Sequence, residues 1–230
     1  MFKKTLAILM AAMTIFASGC GEGSDKNKEP ETSYTTTEGK VEEPVKTEDK
    51  VSEPTKTEEN TDLYENKVFF TIKMADGGVM KGEIYPDLAP ITVENFITLC
   101  DKEFYNGLIF HRVIEGFMIQ GGGFTPDMEQ VEAPSIKGEF KSNGVENNLK
   151  HERGVLSMAR TNVMDSASSQ FFIMHDVAPH LDGEYAAFGR ITEGFDVLDK
   201  IAKTETGVYQ NIMPDVPVTP QVIETITIER

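Results

Sequence analysis

The 230 residues fall into three stretches by the spacing of their large apolar side chains. Residues 5–17 form a nearly continuous apolar run, residues 20–62 hold almost none, and the remainder is dense in them. Within the dense part the period changes with position. Val68, Phe70, Ile72 and Met74 alternate with polar neighbours across 67–74, and a second apolar stretch at 79–85 follows Asp76-Gly77-Gly78. A period of two on both sides of a glycine turn predicts a β-hairpin. Across 90–102 the period lengthens. Val93, Phe96, Ile97 and Cys100 stand at i, i+3, i+4 and i+7 behind Pro90, which predicts an amphipathic helix with proline in its first turn. On that face Cys100 is expected to be a small buried hydrophobe rather than a nucleophile.

Shorter apolar runs at 108–114, 117–120, 155–159, 171–174, 187–191 and 222–228 read as strands, and 195–202 reads as a second helix ending before Gly207. Eight or so strands, two helices and glycine-rich turns predict a mainly β fold: a closed, eight-stranded antiparallel β-barrel capped by two α-helices.

The first two stretches describe an address and a stalk. Lys3 and Lys4 precede the apolar run, which at about 13 residues is short of the roughly 20 that span a bilayer. It ends at Ala17-Ser18-Gly19-Cys20, which resembles a bacterial lipobox with Ala17 where such motifs usually carry leucine. The resemblance implies a diacylglyceryl group on Cys20 and cleavage before it. Residues 1–19 are therefore expected to be a lipoprotein signal peptide. Cys20 is expected to tether the chain to the extracytoplasmic face of a membrane, at a cell surface or in a periplasm. Residues 20–62, rich in Glu, Lys, Thr, Ser and Pro, contain two related decapeptides at 41–50 and 51–60. Such a composition buries too little apolar surface to offset the entropy of ordering, so a solvated linker is expected. The globular domain is expected at 63–230.

A formal net charge of −16 with no basic run excludes nucleic acid as a partner, since phosphate backbones are bound through clustered Lys and Arg. Cys20 and Cys100 are the only cysteines, so no disulfide framework is expected.

Three segments carry more than packing demands: FHRVIEGFMIQGG at 110–122, GVLSMAR at 154–160 with SSQFFI at 168–173, and LDGEYAAFGR at 181–190. Strict alternation puts Arg112 on the same strand face as Phe110 and Ile114. A cation there needs a partner, because an unpaired buried charge is costly. Periodicity alone leaves a structural ion pair and a ligand-facing role both open.

Taken in this order, the segments resemble the cyclophilin family of peptidyl-prolyl cis–trans isomerases, over essentially all of 66–230. The resemblance implies that Arg112 is catalytic and that Phe117, Met118, Phe172 and Leu181 form an apolar pocket for a proline ring. It implies that Gln120 holds Arg112 and the substrate backbone. The backbone at Ala159 and Arg160 would clamp the residue before proline, and Gln170 would line the adjoining groove. His180 and Tyr185 stand where animal relatives have Trp and His. The tyrosine keeps a wall and a hydroxyl, whereas the absent indole implies weak cyclosporin binding. The implied partners are proline-containing polypeptides of the exported or envelope class, and no cofactor or metal is implied.

Other chemistries find less support. Ser157, Ser166, Ser168 and Ser169 sit in no G-x-S-x-G elbow. His111, His151, His175 and His180 are scattered without a metal-ligand spacing. Gly121-Gly122-Gly123 lacks the lysine of a phosphate loop and reads as a tight turn. The alternative from another class is a lipid-tethered proline-peptide-binding module or holdase without significant turnover, for which a fixed guanidinium has no use.

Overall fold

The computed structural model describes residues 64–230; the expected signal peptide, Cys20 and the linker lie outside the described residues. Eight strands close into an antiparallel barrel: β1 (Val68–Met74), β2 (Val79–Ile84), β3 (Ile109–Ile114), β4 (Met118–Gly121), β5 (Val155–Met158), β6 (Phe171–Met174), β7 (Ala187–Glu193) and β10 (Gln221–Glu229). Their order around the wall is β1-β10-β3-β4-β6-β5-β7-β2. Two helices, α1 (Pro90–Asp101) and α2 (Phe195–Ala202), complete the expected architecture.

The alternation in β1 does what its period requires. Phe70, Ile72 and Met74 are buried, and they join inward residues of every other wall strand in one core. Helix α1 adds Val93, Phe96, Leu99 and Cys100 to that core, and α2 adds Leu198, Ile201 and Ala202. Phe96 is central to it, with ring centroids 5.3–6.0 Å from Phe70, Tyr105, Phe171 and Phe188. Burial also pushes the Cys100 thiol well above its ordinary pKa, as suits an inert core residue. Ala89, ahead of α1, offers no side-chain cap. The distant Glu139 carboxylate instead accepts the orphan amides of Ile91 (3.1 Å) and Thr92 (2.8 Å), placing negative charge at the positive end of the helix.

Two features differ from the sequence-based expectation. The first is the phase of β3. Phe110 pairs with Gly121 and Arg112 with Gln120, so His111 is an extra residue, a β-bulge. A bulge inserts one residue and resets the alternation. Phe110 and Val113 therefore both enter the core, while Arg112 turns to the outside with Ile114. Arg112 does not share a face with Phe110. The second is a further antiparallel hairpin, β8 (Thr206–Tyr209) and β9 (Met213–Pro217), outside the barrel. Strand β9 packs against β3.

The bulge residue leaves a trace in stability. His111 is 3% exposed, and burial, with Arg112 adjacent, depresses its pKa from 6.5 to about 3. Between those values the unfolded chain binds the proton and the folded one does not. The associated stability is therefore complete above pH ~6.5 and is lost as pH falls. Burial lowers the pKa of His151 in the same sense, although Asp182 opposes it. We expect the share of the urea-unfolding free energy linked to His111 to fall by about 2 kcal/mol between pH 7 and pH 5. His111→Leu should remove its share of that slope. An equal slope in both proteins would contradict this.

Candidate functional site

Paired residues of an antiparallel sheet project to the same side, so the bulge aligns a row on the outer wall. Arg112 pairs with Gln120, Gln120 with Phe172, Phe172 with Ser157, and Ser157 with Ala187. A second row runs Ile114, Met118, Met174. Met118, Phe172 and Leu181 are at most 1% exposed, yet none belongs to the barrel core. They form an apolar layer on the outer wall, where the groove is expected.

Loops supply the rim. Phe117 lies in the β3–β4 turn, and its carbonyl accepts the amides of His175 and Asp176 at 2.9 and 3.3 Å. Its ring stacks on the exposed His180, centroids 5.8 Å apart. Tyr185 meets Phe172 edge-on at 5.9 Å, and Arg160 lies 4.7 Å over the Tyr185 ring. The Arg160 guanidinium donates to the carbonyls of Glu184 and Thr161 at 2.9–3.0 Å. What Arg160 can offer a ligand is its backbone. Ala159 donates its amide to the Gln170 carbonyl at 2.9 Å.

Gln170 is held from several sides. Asn95 on α1 donates to the Ser168 carbonyl at 2.6 Å, and the Tyr105 hydroxyl donates to that of Ser169 at 3.0 Å. Gly123 leaves the space the Gln170 side chain occupies, for a Cβ there would lie 2.5 Å from its Cγ and Nε2. The third glycine of the triplet thus serves side-chain room, while Gly122, at φ +81°, serves the turn. Gln120 Nε2 donates to Gln170 Oε1 at 3.0 Å. Gln120 faces Arg112 across the ladder, but the side-chain bond it makes here is to Gln170.

The charge partner of Arg112 is Asp215 of β9, with Nε to Oδ2 3.5 Å. The Arg112 side chain is 19% exposed, and its Nη1 is buried with no hydrogen-bond partner among the described residues. A buried charged donor without an acceptor is costly. Asp215 was not legible as a site residue. It sits among Pro214, Val216 and Pro217, and prolines argue against a strand.

Also absent from the sequence reading is a polar chain beneath the groove. His151 Nε2 lies 3.0 Å from Ser157 Oγ, and its Nδ1 lies 3.1 Å from Asp182 Oδ1. The His151 ring stacks on Phe172, centroids 6.0 Å apart. Burial works against the Asp182 carboxylate, but hydrogen bonds from the His151 amide and ring and from Lys150 outweigh it and hold its pKa low. The order serine–histidine–carboxylate is that of a hydrolase triad. Ser157, however, has no exposed surface and pairs across the ladder with Phe172. This chain braces the floor.

Comparison with known proteins shows the family. The model of the family described as cyclophilin type peptidyl-prolyl cis-trans isomerase/CLD matches residues 69–227. Peptidyl-prolyl cis-trans isomerase A of Dickeya dadantii is 46% identical over 144 residues, which cover 58% of this chain and 72% of that protein. Peptidyl-prolyl cis-trans isomerase B of Escherichia coli is 43% identical over 152 residues, 63% of this chain and 90% of that one. The crystal structure of a cyclophilin type isomerase from Cryptosporidium parvum superposes with a TM-score of 0.59 at 27% identity, covering 72% of this chain and 99% of that one. The same parasite protein crystallised in the presence of the dipeptide Ala-Pro gives 0.57 at 28% identity, covering 70% and 99%.

Proposed function

The chain belongs to the cyclophilin-type peptidyl-prolyl cis–trans isomerases, and from that premise we propose that the outer groove turns X–Pro bonds of exported or envelope proteins with Arg112 as the catalytic residue. The observation that carries the reading is the buried, unpartnered Nη1 of Arg112, on the row that leads from the apolar floor of Met118, Phe172 and Leu181.

Rotation about an X–Pro bond meets a barrier of ~18–20 kcal/mol because the twisted amide loses its resonance. No covalent bond is made or broken, so neither nucleophile nor acid–base pair is needed. Rate is gained by binding the twisted amide better than either planar form. As the bond twists, the prolyl nitrogen regains its lone pair, and a guanidinium donor aimed at that nitrogen or at the turning carbonyl stabilises it. A guanidinium does so without titrating. Phe117, Met118, Phe172 and Leu181 grip the ring. The backbone of Ala159 and Arg160 holds the preceding residue, and Gln120 and Gln170 line the groove beside it. The Ala-Pro dipeptide used with the parasite relative is a ligand of the class this pocket suits. His180 offers no indole, so cyclosporin should bind weakly. NMR exchange on an X–Pro peptide, without a coupling protease, tests the reading. Accelerated cis–trans exchange is expected, and binding without acceleration would reduce the protein to a tethered peptide-binding module or holdase.

The location belongs to the same reading. Lys3, Lys4, the apolar run and Ser18-Gly19-Cys20 support a lipidated Cys20, with the catalytic domain carried on the extracytoplasmic face by residues 20–62. Cys20→Ser should move the protein from the membrane fraction into medium or periplasm. Retention of that variant in membranes would defeat the anchor.

A further inference from the structure

The hairpin β8–β9 places a carboxylate at one end of the catalytic row. From Ser157 on β5 the row passes over Phe172 and Gln120 to Arg112 on β3, and β9 packs against β3. The Asp215 side chain there is 35% exposed, and its Oδ2 lies 3.5 Å from Arg112 Nε. If the ring rests on Phe172 and the preceding residue is held at Ala159 and Arg160, the chain that follows the proline leaves over Arg112 toward β9. That direction fixes which substrate residue meets Asp215.

We propose that Asp215 is a specificity-determining residue that reads the side chain following the proline, favouring a basic one and disfavouring an acidic one. The inference rests on the isomerase reading above. A lysine or arginine at that position can pair with the open side of the carboxylate while Oδ2 keeps its contact with Arg112. An acidic side chain is repelled by Asp215. It also competes with it for the guanidinium, drawing Nη1 out of the groove where the twisted amide needs it. The carboxylate is held in place by its backbone: Asp215 has φ +63°, a left-handed conformation few non-glycine residues adopt, although aspartate and asparagine are enriched there. Asp215→Asn therefore removes the charge while keeping a residue suited to that backbone.

The test measures catalysed exchange by the full chain on three peptides that differ only in the residue after proline: lysine, alanine or glutamate. At low ionic strength kcat/KM for the lysine peptide should exceed that for the glutamate peptide about fivefold, the upper range of an exposed ion pair. Asp215→Asn should shrink the ratio by about threefold, as should screening of the wild type by molar salt. Because the ratio is taken within each protein, a general loss of turnover through a less well-held Arg112 cancels. The chain's net charge of −16 acts in both proteins and cannot produce the difference between them. Equal ratios in wild type and Asp215→Asn, with all three peptides turned over, would overturn this inference alone. Absence of catalysed exchange on every peptide would overturn the isomerase reading, and this inference with it.

Discussion

Arg112→Ala is expected to lower catalysed X–Pro exchange by at least about 100-fold, the usual cost of removing a preorganised donor from a transition state. The protein should remain folded. Arg112 stands outside the barrel core, and the side chain contributes one partly exposed contact to Asp215. Peptide binding should survive better than turnover, because the floor of Met118, Phe172 and Leu181 is untouched. A loss in kcat with little change in affinity marks an interaction made chiefly in the transition state. Near-normal turnover in Arg112→Ala would contradict the role assigned to the residue.

Phe96→Ala should act in the opposite way, on the fold and not on the chemistry. Phe96 is fully buried and touches four other aromatic rings, three of them on wall strands or the segment leading into β3 and the fourth, Phe171, beside the groove residue Phe172. Deleting such a ring costs about 3–5 kcal/mol through lost burial and the cavity left behind. In a domain of this size that should lower the melting temperature by roughly 10 °C or more. Activity per folded molecule, measured well below the transition, should stay near that of the wild type. A stability change within the ~0.5 kcal/mol typical of surface substitutions would mean that the core does not depend on α1.

These two residues also show what the sequence could and could not reveal. Phe96 was readable because a helical period is local: Val93, Phe96, Ile97 and Cys100 announce their shared face without knowledge of the partner. The same holds for β1, whose alternation matches its buried side, and for α2, whose ends at Phe195 and Ala202 coincide with the expectation. Arg112 was readable as a residue but not as an orientation. Alternation assigned it to the face of Phe110, and only the bulge at His111, which depends on pairing with β4, turns it outward. Period-based reading has no access to such a register change. The hairpin β8–β9 escaped notice because most of its residues are at best partly buried and Pro214 and Pro217 interrupt it, so neither apolar alternation nor strand propensity marks it. With the hairpin went Asp215. Glu139 capping α1, and the His151–Ser157–Asp182 chain under Phe172, join residues far apart in sequence and carry no local signal. The residues proposed for the groove were named through family resemblance in ordered segments, which specifies identities but not the hydrogen bonds, as the Gln120–Gln170 pair illustrates.

The central claim is that Arg112 turns a proline-binding groove into an isomerase. Its most direct measurement is NMR exchange spectroscopy on one X–Pro peptide, with wild type and Arg112→Ala at matched fractional saturation. Fast cis–trans exchange is expected with the wild type, and with Arg112→Ala comparable binding shifts but exchange reduced by about two orders of magnitude or more. Equal exchange in the two proteins at equal saturation would contradict it.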